Sequence, residues 1–359
     1  MKKPFVTFIC CTMLAACTES VDLSSIHDKT TFNNQNDQAL SGTIEPVGSY
    51  QWTKLSTTQP ELSLNLLYGP SAYVIEETAF VKAGSGVGEL FKLSNTKKTW
   101  EHITSGPIKE AFDDFTGYLK WKNHCFEYGS KFYYYLDGTF NSIDINNGVH
   151  ETLAPFPALW RDGKMSFVIG TKGYVMGGIR WVNNAYQNVN DLWEYNFSTD
   201  EWVYKGSVPG GTRSHGLIAV VDQKLYVGLG KWKHNGMLQE KHDWLLVDFS
   251  TLGTSQVLAD FPVDNYGVDY YPVDHPNKRP FVINNKIYVP KLVPIAHVGH
   301  VNSLWEYNPS TNRWSEKDSP MQDGVWYSFF ALGNAGYMIK GPFEELWRYS
   351  KTSLVPTNP

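Results

Sequence analysis

Cysteine is nearly absent from the working part of this chain. Of four Cys in 359 residues, Cys10, Cys11 and Cys17 fall within the first 17 positions. Only Cys125 remains, and one thiol cannot close an internal disulfide, so a folded domain must rest on its core. A basic surplus is also missing: 31 Lys and Arg stand against 36 Asp and Glu, a net charge of −5. That balance argues against nucleic acid as a partner. The apolar run Phe5 to Ala16 is too short to span a bilayer. A Gly-rich phosphate loop, a Gly-x-Ser-x-Gly elbow and a His-Glu-x-x-His pair are all lacking, so no common catalytic signature points to a reaction.

What is present begins at the N-terminus. Lys2 and Lys3 precede the apolar run, which ends in small residues before Cys17, as in a secretory signal. Leu14-Ala15-Ala16-Cys17 resembles the bacterial lipobox, which implies cleavage after residue 16 and a lipid on Cys17. By resemblance to enteric lipoproteins, Thr18 rather than Asp after that Cys implies the outer membrane. Cleavage would leave 343 residues, with 29 basic against 36 acidic, a net of −7. Residues 17–48 are polar and lack an apolar period, so they are expected to be a flexible tether. Residues 49–359 are expected to form one domain, without a partner subunit.

Two stretches of that domain nearly repeat. Leu192-Trp193-Glu194-Tyr195-Asn196-Phe197-Ser198-Thr199-Asp200-Glu201-Trp202 returns as Leu304-Trp305-Glu306-Tyr307-Asn308-Pro309-Ser310-Thr311-Asn312-Arg313-Trp314, with eight of eleven positions identical. Each copy suits a strand, a turn at Asn-x-Ser-Thr, and a second strand opening at Trp. That is the outer hairpin of a propeller blade. Six apolar inner hairpins can be found, opening near Ser71, Asn123, Met165, Leu217, Pro280 and Trp326. After Glu345–Tyr349 the sixth unit has no fourth strand, while Tyr50–Leu55 has nothing to pair with. Placing the latter in the last blade closes the ring without a free edge. The expected fold is an all-β, six-bladed propeller closed by an N-terminal strand.

Gly177-Gly178, then Leu-Trp-Glu-Tyr, the turn and Trp202 resemble a Kelch repeat. Only the third blade has the full signature, and the repeated Trp and Tyr are expected to pack blade on blade. The family includes galactose oxidases, sialic acid mutarotases and plain binding scaffolds, so the resemblance leaves function open. Galactose-oxidase chemistry would need a Cys crosslinked to a Tyr ligand. Cys125 lies on an inner strand of blade two, far from the clustered His, and is expected to be a buried structural thiol.

Strand direction puts the second-to-third loops and the blade connections on one face, opposite to the side where the tether would leave. On that face Gly178–Asn190, Gly230–His242 and Pro290–Asn302 are long, which marks blades three to five as a binding crescent. The candidate ligand-binding residues are Arg161, Asp162, Arg180, Trp181, Arg213, His215, Trp232, Asp269, Tyr270, Asp323 and Trp326. Arg would hold a carboxylate, His or Asp would move a proton, and Trp would stack on a sugar ring. His234, His242, His297 and His300 are the residues a Zn or Cu site would use, and an Asp-rich connection at 260–274 would suit Ca. No helix carries the His spacing, so no cofactor is expected. The favoured role is recognition of a protein or glycan; the alternative is a periplasmic sugar mutarotase working at the channel mouth.

Overall fold

The computed structural model describes residues 49–55, 71–83, 89–94, 100–115, 124–136, 138–159, 161–234, 237–248, 255–262, 279–295, 298–321, 326–341 and 345–351. Strand β1 (Tyr50–Lys54) comes first. Blade 1 follows as β2 (Ser71–Ile75), β3 (Thr78–Ala83), β4 (Glu89–Ser94) and β5 (Trp100–Ile103). Helix α1 (Pro107–Phe115) leads to blade 2: β6 (His124–Tyr128), β7 (Lys131–Leu136), β8 (Thr139–Asp144) and β9 (His150–Leu153). Blade 3 has β10 (Met165–Ile169), β11 (Lys172–Met176), an inserted hairpin β12 (Ile179–Val182) and β13 (Ala185–Asn188), then β14 (Leu192–Asn196) and β15 (Glu201–Gly206).

Blade 4 repeats that plan with β16 (Leu217–Val221), β17 (Lys224–Gly228), the hairpin β18 (Lys231–His234) and β19 (Met237–Glu240), β20 (Trp244–Val247) and β21 (Ser255–Val257). Blade 5 is β22 (Phe281–Ile283), β23 (Lys286–Ile295), β24 (Val298–Asn308) and β25 (Arg313–Lys317). Blade 6 is β26 (Trp326–Leu332), β27 (Ala335–Gly341) and β28 (Glu345–Lys351), completed by β1. Tyr50 pairs with Lys351 and Trp52 with Tyr349, so the ring closes as the sequence predicts. The six innermost strands β2, β6, β10, β16, β22 and β26 neighbour one another in turn, and β26 returns to β2.

Cohesion lies between the blades. Tyr73 and Ile75 of blade 1 face Phe132 and Tyr134 of blade 2, and Leu217 and Tyr226 of blade 4 face Ile287 and Tyr307 of blade 5. Cys125 is buried in the matching layer between blades 2 and 3. The connection between blades 1 and 2 contains α1. Pro107 at its first turn gives up no intrahelical hydrogen bond. Ile108 and Phe112, one turn apart, then share the face that packs beside Tyr73 and Phe80.

The repeated residues form a clasp. The Tyr195 hydroxyl donates to Asp200 Oδ1 at 2.7 Å, and the same carboxylate accepts the Ala154 amide. Trp202 Nε1 donates back to the Ala154 carbonyl at 3.2 Å, while Phe156 stands edge-on to the Trp202 ring. Two blades on, Tyr307, Asn312, Ala259, Trp314 and Phe261 reproduce every contact. Each clasp ties a blade to the chain arriving from its predecessor. In blade 6 the Tyr349–Trp52 pair remains, but Tyr50 stands where the others have Asp200 or Asn312. Trp52 Nε1 is buried there without a hydrogen-bond partner.

Candidate functional site

The long loops of blades 3 and 4 are two-stranded ribbons, and that of blade 5 extends β23 and β24, where plain loops were expected. The ribbons rest on a hydrogen-bonded base. The segment entering blade 3, Arg161-Asp162-Gly163, pairs with the foot of its ribbon: Asp162 and Ile179 exchange both amide bonds at 2.8 Å. Arg213-Ser214-His215 does the same in blade 4, with Ser214 and Lys231 exchanging bonds at 2.7 and 2.8 Å. The Gly178 amide then donates to the Arg213 carbonyl at 2.8 Å, which locks the two bases together. Gly177 and Gly178 both have positive φ, and a Cβ on either would strike the incoming chain.

The two arginines hold this base from below. Arg161 is buried, pairs with Asp191 through Nη1, and lies 5.2 Å over the Phe156 ring. The Arg213 side chain is 0% exposed. It grips Asp243 with both terminal nitrogens, at 3.0 and 2.6 Å, and donates to the Leu229 carbonyl at 2.6 Å. Asp191 and Asp243 each sit where the ribbon returns to the blade. Both guanidinium groups are therefore committed to clamping a ribbon's ends. At Arg213 the clamp occupies both terminal nitrogens of the fork, whereas Arg161 meets Asp191 through one.

His215 occupies the same place as Gly163, with a similar positive φ, and its ring covers Gly163. Its amide donates to the Gly163 carbonyl at 2.7 Å. It is a spacer between the two entering segments, half-buried. Arg180 and Trp181 lie on β12, and Trp181 is 59% exposed. Tyr186, its cross-strand neighbour, is 43% exposed and meets it edge-to-face at 4.6 Å. Trp232 lies on β18 with Lys241 Nζ 5.5 Å above its ring. Burial, then the nearby Arg213 charge, lowers the Lys241 pKa against the pull of Asp243. Strand β13 runs beside β18, so the two ribbons form one surface.

Of the other candidates, only His242 has a described side chain. Trp326 opens β26, His234 closes β18 and His300 lies on β24, but their side chains are outside the described set. Cys17, Asp269, Tyr270, His297 and Asp323 are outside the described residues altogether. His242 is half-buried beside Asp243, and its Nδ1 has no hydrogen-bond partner. Among the described residues, no three His, Cys, Asp or Glu side chains gather as a metal site would require.

One feature escaped sequence reasoning. The penultimate residues of the six innermost strands are Val74, Glu127, Val168, Val220, Val282 and Ala331, so a single carboxylate interrupts an apolar set. Glu127 is 22% exposed and receives Arg279 Nη1 at 3.2 Å. Blades 2 and 5 are opposite in a six-bladed ring, so this ion pair spans the central channel. Burial raises the Glu127 pKa, and the Arg279 charge and hydrogen bond oppose it. Aligning the six inner turns in the sequence would have exposed the odd Glu. Elsewhere, a cleft of about 790 Å³ opens at the seam of blades 5 and 6, lined by Tyr50, Trp52, Trp347 and Tyr349. It lies where the clasp is incomplete.

The chain matches no protein-family model and no curated protein.

Proposed function

We propose that this chain is an outer-membrane lipoprotein, anchored through Cys17, whose Kelch-like propeller binds a protein or glycan with the ribbons of blades 3 to 5. The observation that supports this most is the exposed Trp181–Tyr186 pair on a ribbon whose base is locked to the next blade. Exposed aromatics on a rigid support lose little entropy on binding and are common anchors of recognition. With Arg161 and Arg213 clamping the ribbons, the face offers breadth rather than a tight acid–base cluster. No bond-making is assigned to it.

The reading is tested on glycan and periplasmic-protein arrays with the parent chain and Trp181→Ala/Tyr186→Ala. Binding should fall at least about tenfold in the double variant while the melting transition stays in place. A ligand held equally by both proteins would sink it. The anchor is tested separately, since Cys17→Ala should release the chain from the membrane fraction. The Glu127–Arg279 pair in the channel favours a second reading, a sugar mutarotase. Glu127→Gln would abolish anomer exchange under that reading and leave array binding untouched under the first.

A further inference from the structure

The three ribbon loops differ in charge from the rest of the molecule. Gly178–Asn190, Gly230–His242 and Pro290–Asn302 contain Arg180, Lys231, Lys233, Lys241 and Lys291 against one carboxylate, Glu240. The remaining chain holds 26 basic and 35 acidic residues. A cationic crescent therefore stands on an acidic body. Asp191 and Asp243 at the ribbon feet are engaged by Arg161 and Arg213, which leaves Asp162, paired through its backbone with Ile179, as the exposed acid at the blade 3 foot. Arg180 and Lys291 make no ion pair among the described residues. A protein that concentrates one sign on one face raises the local concentration of ligands of the other sign.

Aromatic groups are interleaved with these cations. In a two-stranded ribbon, successive residues face opposite sides. Arg180 and Trp181 thus address opposite sides of their ribbon, while Trp181 and Tyr186 share one. Trp232 carries Lys241 against its ring on the adjoining ribbon. Flat exposed rings offer an apolar face to the C–H side of a sugar, and the ammonium and guanidinium groups offer donors to carboxylate or sulfate. An acidic peptide would satisfy the charges and leave the exposed Trp face unused.

We propose that the ribbon crescent of blades 3 to 5 binds an acidic polysaccharide, with Trp181 stacking on sugar rings and Arg180, Lys241 and Lys291 pairing with the anionic groups. The proposal rests on the recognition reading above and names its ligand class. A polymer suits the site because the two adjoining ribbons present several separated cations rather than one enclosed pocket. Affinity then accumulates over repeated weak contacts.

The full chain, purified in detergent, is tested by biolayer interferometry against polygalacturonate, heparin, dextran and poly-glutamate. Polygalacturonate or heparin should bind, and raising salt from about 50 to about 200 mM should weaken binding severalfold. Arg180→Gln/Lys241→Gln/Lys291→Gln should lower affinity at least about tenfold and flatten the salt response. Trp181→Ala should weaken polysaccharide binding with the charge retained. Both variants are checked for an unchanged near-ultraviolet spectrum; if the triple variant misfolds, the Trp181→Ala comparison and the salt response decide. Dextran binding that depends on Trp181 would overturn the acidic class while keeping the ribbon reading. Poly-glutamate binding as strong as polygalacturonate and indifferent to Trp181→Ala would overturn the saccharide. No binding to either anionic polysaccharide would overturn the proposal and leave the array experiment to judge the recognition reading.

Discussion

Asp200 holds Tyr195 of its own blade at 2.7 Å and, with the same carboxylate, the Ala154 amide of the chain arriving from the blade before. One side chain thus closes an interface between blades. Asp200→Ala should destabilise the domain by about 2–3 kcal/mol, because a buried phenol and a backbone amide lose their acceptor together. Asp200→Asn keeps an acceptor and tolerates the positive φ found here, so it should cost about 1 kcal/mol. Urea unfolding of the two variants checks the order; equal losses would show that the acceptor for Tyr195 and Ala154 is not what Asp200 contributes.

The seam supplies an internal control. Trp202 and Trp314 donate to Ala154 and Ala259, whereas Trp52 has no partner for its indole nitrogen. Trp→Phe should therefore cost about 1 kcal/mol less at position 52 than at 202 or 314. Thermal melts of the three single variants read this directly, and an equal or larger loss at 52 would contradict it.

The Arg213–Asp243 clamp predicts an asymmetry. Asp243 is 32% exposed and can be hydrated when its partner goes, but Arg213 has no access to water. Asp243→Ala should cost about 3–5 kcal/mol by stranding a buried cation, and Arg213→Met markedly less. Chemical denaturation of both variants settles the order, and an inverse ranking would refute the account of the clamp.

Glu127 predicts a pH dependence of known sign. Burial raises its pKa above that of the unfolded chain, with Arg279 only partly opposing. The folded state holds the proton longer, so stability is greatest below the unfolded value, about pH 4.3, and falls as pH rises through the folded one. Glu127→Gln should remove that decline. The difference in unfolding free energy between parent and variant, followed against pH, checks it; parallel profiles would mean that the channel carboxylate does not titrate on folding.

Much of the fold was legible because its period is local. Alternating apolar residues around tight turns located the openings of all six inner hairpins within a residue or two, and the unmatched Tyr50–Leu55 revealed the closure. The helix was not legible, since Pro107 after Gly106 gives the same signal for a turn as for a helix start. The candidate site was harder. Arg161 and Arg213 stood out as charges at strand entrances, but the sequence did not tell that Asp191 and Asp243, thirty residues on, would return beside each. Glu127 and Arg279 lie 152 residues apart and meet only because six blades put the second opposite the fifth. The cations of the ribbons were plain in the sequence, yet loop length alone drew attention there, and length carries no sign.

The closing strand also sets an order of events. During synthesis the segment around Trp52 emerges before any blade, yet its partner strand ends at Lys351. That first strand waits, unpaired, through the synthesis of some three hundred residues, and the last blade cannot be completed until residues 345–351 arrive. Closure of the ring is thus a proofreading step on the length of the chain: a product stopped before β28 keeps two mismatched edges and no means of joining them.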